Sequence, residues 1–327
     1  MSRKVLPWWR CAGPALVFAV LVWRLGTGPF LDGLRTIDGG ALAAAAGITV
    51  LTTVAYAWRW KIVAGGLGLD LSLSAAVAAY YRSLFLNAML PGGIVGDVHR
   101  GASHGRDVSD IGHALRAVGW ERFAGQVVQA MLTVVVLLAL PSPVQQFMPW
   151  VAIAVVAVVF GLLFTARARR GATRSTWARL RSAAVGDIRD GLLARRAWPG
   201  IVLASTLGVA GHAATFLIAA RTAGITAPPS RMLPIVMAAL AAMMLPSLGG
   251  WGSREGVAAW VFGAAGLGAQ RGVATAVAYG VMVLVASLPG IAVLVVAWFR
   301  KGRPPPRTRS LMPVRTARRS ASFGVRR

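Results

Sequence analysis

Charge is scarce in the apolar stretches of this chain, and where it enters them it arrives beside proline and glycine. Residues 86–100 read LNAMLPGGIVGDVHR, with Asp97, His99 and Arg100 following Pro91, Gly92, Gly93 and Gly96. Residues 117–126 read AVGWERFAGQ, with Glu121 and Arg122 side by side. Residues 245–255 read LPSLGGWGSRE, with Arg254 and Glu255 after Pro246, Gly249, Gly250 and Gly252. The chain has ten acids, and Asp97, Glu121 and Glu255 are the three that fall outside expected loops, each with an arginine nearby: Arg100, Arg122 and Arg254. An ionisable group inside a membrane costs about 2.5–3.5 kcal/mol on insertion scales, so it is generally paired or functional.

The chemistry these residues suit is anion recognition. The guanidinium groups of Arg82, Arg100, Arg122 and Arg254 offer planar forks of donors matched to phosphate oxygens. The glycines permit close backbone approach and leave free N–H groups at the starts of following half-helices, where anions are favoured. An anionic lipid headgroup is the ligand this pattern fits. A plainer role is also open, in which the acids serve only to neutralise the arginines and the glycines only to turn the chain.

Other chemistry finds less support. His99, His104 and His113 are separated by five and nine residues, intervals that share no helical face, and no HExxH occurs, so no metal site is expected. The one cysteine, Cys11, cannot form an internal disulfide or a cysteine-only metal site. His212 stands alone in an apolar run and reads as a hydrogen-bonded packing residue. GxSxG, Walker A and a strand-bounded GxGxxG are absent, and no cofactor is expected. An acid–base role for Glu121 or Glu255 in headgroup transfer is a second class of function.

The elements that must position these residues are membrane helices. With 327 residues, 56% of them hydrophobic, most of the chain has no means of facing water. Apolar runs at 41–58, 123–140, 147–166, 200–220 and 272–299 approach the roughly 20 residues that cross a hydrocarbon core. An earlier run at 11–23 follows Arg3, Lys4 and Arg10 without a clear cleavage site and reads as an uncleaved signal anchor. The positive-inside rule puts the N-terminus, the 167–198 loop and the tail in the cytoplasm. On that scheme Trp58, Arg59, Trp60 and Lys61 lie at the cytoplasmic surface, and the apolar segments 71–90 and 231–265 must enter the membrane and return. Each half, 1–140 and 147–300, then holds three spans with a broken segment before the third. The fold expected is an all-α polytopic helical membrane protein with two re-entrant broken helical segments in an inverted repeat. Paired Gly/Pro-interrupted segments in corresponding positions of such halves point to a transporter's substrate site.

The net charge of +25 is concentrated at two places. Nine arginines face Asp187 and Asp190 between Arg167 and Arg196, and ten Lys or Arg with no acid occupy Arg300 to Arg327. Both segments abut spans and lack interleaved base-stacking aromatics, so anionic lipid at about 1 kcal/mol per basic residue is the better partner than nucleic acid. Residues 301–327 read as a disordered cytoplasmic tail. Trp177, Leu180, Ala184, Ile188 and Leu192 recur at near-helical spacing, as in an interfacial helix joining the halves. A scaffold that recruits partners through the basic loop and tail is a third class of function; a separate enzyme and a second copy of the chain are possible partners.

The stretches FLNAMLPGGIVGDVHRG at 85–101, AVGWERFAGQ at 117–126 and LPSLGGWGSREGVAA at 245–259 resemble the signature regions of the lysylphosphatidylglycerol synthase transmembrane-region family, also described as flippase-like. The resemblance runs over roughly residues 5–300. It implies a membrane domain that moves lipid between leaflets of the plasma membrane. It marks Pro91, Gly92, Gly96, Asp97, Arg100, Glu121, Arg122, Pro246, Gly249, Gly250, Gly252, Arg254 and Glu255 as site residues. The soluble aminoacyl-transferase domain of the bifunctional members has no counterpart in the basic tail, so synthase activity is not expected.

Overall fold

The computed structural model describes residues 22–90, 93–142, 184–244 and 252–301, together with positions 19–20, 145, 150, 153–154, 156–158, 160–161 and 164. Its regular elements are α1 (Gly28–Arg35), α2 (Gly39–Gly66), α3 (Leu73–Met89), α4 (Val95–Asp107), α5 (Ile111–Ala139), a π-helical turn at Asp187–Leu192, α6 (Trp198–Thr222), α7 (Pro229–Ala242), α8 (Ser253–Ala264), α9 (Ala269–Ser287) and α10 (Pro289–Lys301). Side chains fix several starts: Asp38 accepts the Ala41 N–H at 2.7 Å, and Ser72 accepts that of Ala75 at 3.3 Å. Asp110 likewise accepts the His113 N–H at 2.9 Å, which holds its carboxyl below the usual range.

Among the described residues, four helical stretches are long and apolar enough to cross a membrane: α2, α5, α6 and Ala269–Val296, which joins α9 to the start of α10. They hold 25–29 residues each, and at about 1.5 Å per residue all exceed a hydrocarbon core of about 30 Å. Their outer faces are apolar as well, with Leu51, Val135 and Leu207 exposed. Such all-round hydrophobicity marks a helix immersed in lipid. In contrast, α3, α4, α7 and α8 have 17, 13, 14 and 12 residues. At about 1.5 Å per residue each is shorter than a hydrocarbon core of about 30 Å, and each pair folds back on itself: Arg100 of α4 lies 4.2 Å from the Tyr80 ring of α3, and Arg231 Nη2 of α7 donates to the Ala265 carbonyl just after α8 at 2.7 Å.

The same order of long helix, broken pair and long helix therefore occurs twice. Corresponding elements begin at Gly39 and Trp198, Leu73 and Pro229, Val95 and Ser253, and Ile111 and Ala269, an interval of 156–159 residues each time. Packing follows the repeat. Within the first half α2 touches α3 and α5, α3 touches α4, and α4 touches α5; α6, α7, α8 and α9 repeat every one of these contacts. Across the halves, α2 meets α9 as α6 meets α5, and α3 meets α9 as α7 meets α5.

Helices α2 and α6 meet on a seam of small residues, where Gly200 faces Ile62, Gly208 faces Tyr56 and Gly211 faces Thr52. Numbers rise along one helix as they fall along the other, so the two run antiparallel. Because they are the first long helices of their halves, the halves are inverted.

The boundaries depart from hydropathy in a consistent way. α2 continues to Gly66, through the Trp58–Lys61 stretch expected at the cytoplasmic surface, and Arg59 and Trp60 are buried inside the bundle. α5 begins at Ile111, so Glu121 and Arg122 lie within it rather than before it. Both corrections have one cause: these charges are paired by the bundle, and the helix need not end where hydropathy falls. The last expected span is interrupted at Leu288, where Pro289 starts α10. Asp187, expected in a loop, is buried and accepts Arg116 Nε at 2.9 Å and Trp120 Nε1 at 3.0 Å. Ile188 and Leu192 pack on Val63 and Ile201 rather than lying at an interface. The spans expected at 11–23 and 147–166, most of the basic loop, and the tail beyond Lys301 fall largely or wholly outside the described residues.

Candidate functional site

One loop carries the break in each pair. Gly93, with φ +61°, precedes α4, and Gly252, with φ +98°, precedes α8; an L side chain is strained in either conformation. Pro91, Gly92, Pro246, Gly249 and Gly250 lie outside the described residues. Immediately after the turns come the charges, with Asp97 and Glu255 both at the third position of their helices. Glu255 Oε2 accepts the Gly252 N–H at 2.6 Å, the backward reach by which a third-position acid caps a helix start.

Around Asp97 and Glu121 the bundle assembles five charges. Glu121, wholly buried, accepts Arg59 Nε at 2.7 Å and Tyr80 Oη at 2.7 Å on one oxygen, where Arg59 Nη2 also binds. Its other oxygen accepts Arg100 Nη2 at 2.6 Å. Arg100 Nε turns to Asp97 at 2.9 Å. Asp97 further accepts Asn87 Nδ2 at 2.7 Å and Ser83 Oγ at 3.2 Å, and it pairs with Arg122 Nη1. Arg59 Nη1 reaches across the halves to Ser205 Oγ at 2.9 Å. Three guanidiniums thus meet two carboxylates, leaving one positive charge in excess among the described residues. The Arg122 side chain remains 39% exposed, while Arg59, Arg100, Asp97 and Glu121 are buried.

Small residues make room for this arrangement. A Cβ on Gly125 would overlap the Arg59 guanidinium, and one on Gly96 would overlap the Ser83 backbone. Gly96 also donates its N–H to Asn87 Oδ1 at 2.7 Å, which orients that amide toward Asp97.

The second half is simpler. Arg254 Nε binds Glu255 Oε1 at 3.0 Å, Nη2 binds the same oxygen, and both residues are buried. Aromatic rings connect the two halves. The Arg254 guanidinium lies 5.0 Å from the Tyr279 ring, and Tyr279 Oη meets His212 Nδ1 at 2.8 Å. His212 stacks on Tyr56 at 6.0 Å, and Tyr56 lies 4.6 Å from the Arg59 guanidinium.

Of the residues singled out from sequence, Gly96, Asp97, Arg100, Glu121 and Arg122 are thus brought together, and Gly252, Arg254 and Glu255 form a second group, joined to the first through Tyr279, His212 and Tyr56. Arg82 is not brought in. It lies on α3 about 100° or more around the helix axis from Tyr80, Ser83 and Asn87, whose face meets the acids. The sequence pairing of Glu121 with Arg122 is corrected as well: adjacent positions of a helix point apart, so Glu121 takes Arg59 and Arg100 while Arg122 takes Asp97. Sequence reasoning missed Arg59, Tyr80, Ser83 and Asn87. The last three recur at intervals of three and four along an apolar helix, a polar stripe that marks an inward face. Arg59 was masked by its tryptophan neighbours.

The model for the lysylphosphatidylglycerol synthase transmembrane region matches residues 8–310. The chain belongs to this family. A search of curated proteins finds no match. Family membership, the four membrane-crossing stretches and the all-helical described residues together make this a membrane protein.

Proposed function

We propose that this member of the family binds an anionic phospholipid or lipid-linked precursor and carries it between the leaflets of the plasma membrane, with both termini cytoplasmic and without covalent chemistry of its own. The observation that carries this reading is the surplus guanidinium in a buried cluster at the broken end of a re-entrant pair. A charge at low dielectric calls for a counter-charge, and a phosphodiester supplies one together with oxygens suited to a planar fork of donors. The inverted halves provide two such broken ends linked through Tyr279, His212 and Tyr56. Alternate access to a site between inverted repeats needs only that one half rock against the other.

An acid–base role for Glu121 or Glu255 has less support, since every carboxylate oxygen of both is already occupied by a guanidinium, a hydroxyl or a backbone N–H. The test is leaflet exchange of a fluorescent phosphatidylglycerol in proteoliposomes, normalised to folded protein. Arg122→Gln removes the surplus charge while Asp97 keeps Arg100, Ser83 and Asn87, so the fold should survive. Exchange should fall by about tenfold, the equivalent of about 1.4 kcal/mol. A folded variant that exchanges lipid at the unmodified rate would refute the reading.

A further inference from the structure

We infer that the interior selects the phosphodiester headgroup of an unmodified anionic lipid and rejects an aminoacylated one, although the family takes its description from an aminoacylated lipid. This selectivity rests on the headgroup site proposed above. A lysyl ester of phosphatidylglycerol has one phosphodiester and two amines; with both amines protonated it carries one more positive charge than negative. In a protein interior an ammonium is held most strongly by a carboxylate with a free oxygen or an aromatic face open to a cation. Among the described residues of the cluster both kinds of receptor are already engaged.

The carboxylates are spent first. Asp97 Oδ1 holds Ser83 and Arg100, and its Oδ2 holds Asn87 and Arg122. Glu121 Oε1 holds Arg59 and Tyr80, and its Oε2 holds Arg100. Glu255 divides its oxygens between Gly252 and Arg254. These are the three acids on the broken segments and the α5 face that meets them, and each already serves a guanidinium.

The aromatic faces are spent in the same way. Arg100 lies 4.2 Å from the Tyr80 ring and 4.6 Å from the Trp60 ring; Arg59 covers Tyr56 at 4.6 Å, and Arg254 covers Tyr279 at 5.0 Å. An incoming ammonium would have to displace a resident guanidinium from a ring or an acid.

Donors, by contrast, remain. Arg100 Nη1 and Trp60 Nε1 are buried without a hydrogen-bond acceptor. Arg122 engages only Nη1, on Asp97 and the Gly93 carbonyl, and its side chain is 39% exposed, so it still offers N–H groups at the open edge of the cluster. A cluster whose described carboxylates are all engaged and whose N–H donors are in surplus favours an anion over a cation.

The measurement is competitive retention of phosphatidylglycerol and its lysyl ester, with matched acyl chains, by the full chain in nanodiscs, read by mass spectrometry against phosphatidylcholine. Phosphatidylglycerol should be preferred over the lysyl ester by about tenfold, equivalent to about 1.4 kcal/mol. Arg122→Gln should lose most of that preference, and Arg122→Lys, which keeps the charge, should retain it. Equal or better retention of the lysyl ester, with phosphatidylglycerol still released by Arg122→Gln, would overturn the selectivity and leave the headgroup site standing. Retention of neither above phosphatidylcholine would remove the site itself, and the selectivity with it.

Discussion

Glu121 is the residue on which the cluster turns, because it alone binds two arginines and a tyrosine while wholly buried. Removing one partner of a buried ion pair leaves the other charge uncompensated, at a cost of about 3–5 kcal/mol. Glu121→Gln should therefore destabilise the protein strongly in detergent unfolding. Adding Arg59→Leu should recover part of the loss, since it removes the charge that the first change orphans; stability equal to the sum of the two single losses would contradict this pairing. The second half carries uncharged residues at the corresponding places. Counted from the helix starts, Glu121 corresponds to Tyr279 at 158 residues and Arg59 to Ile218 at 159.

Residue by residue, legibility followed sequence distance. Asp97 with Arg100 could be paired on sight, because three positions apart on a helix brings groups within reach, whereas Arg254 and Glu255 pair although they are adjacent in the first turn of α8. Arg59 with Glu121 could not, since only the packing of α2 on α5 joins residues 62 apart.

Among the elements, proline followed closely by glycines announced both broken pairs, because the cluster favours a turn, whereas a lone Pro234 stays within α7 and Gly208 and Gly211 within α6. Helix ends were less visible. α2 and α5 both run through charged residues that hydropathy treats as boundaries, and only the neutralising partners on other helices explain why the backbone continues. The short lengths of α3, α4, α7 and α8 carry a prediction of their own. In a Cys11→Ser background, cysteines at Ser72 and Ser103 should both label from the cytoplasmic side, and cysteines at Ser230 and Gln270 both from outside. Labelling either pair from opposite faces would mean that one broken pair crosses the membrane, which lengths of 17 residues or fewer make unfavourable.

At the scale of the whole molecule, an inverted repeat supplies symmetric architecture, but the charge on it is not symmetric. Among the described residues, the cluster beside the first broken pair holds three guanidiniums against two acids, whereas Arg254 and Glu255 beside the second pair with each other. On the proposed reading the first group attracts the anion and the second lines the path, with the rings of Tyr56, His212 and Tyr279 between them. The central claim is that both broken segments converge on one lipid headgroup, and the phospholipid that stays with the purified protein tests it most directly. Retained lipid would be identified and counted by mass spectrometry for the unmodified chain, for Arg122→Gln in the first half, and for Arg254→Gln combined with Glu255→Gln in the second. The double change removes both charges together, so neither is left unpaired. If the two segments share a site, both variants should fold and both should lose the same anionic phospholipid. Folded variants that keep the lipid complement of the unmodified chain would contradict the claim and reduce both charge groups to structural roles.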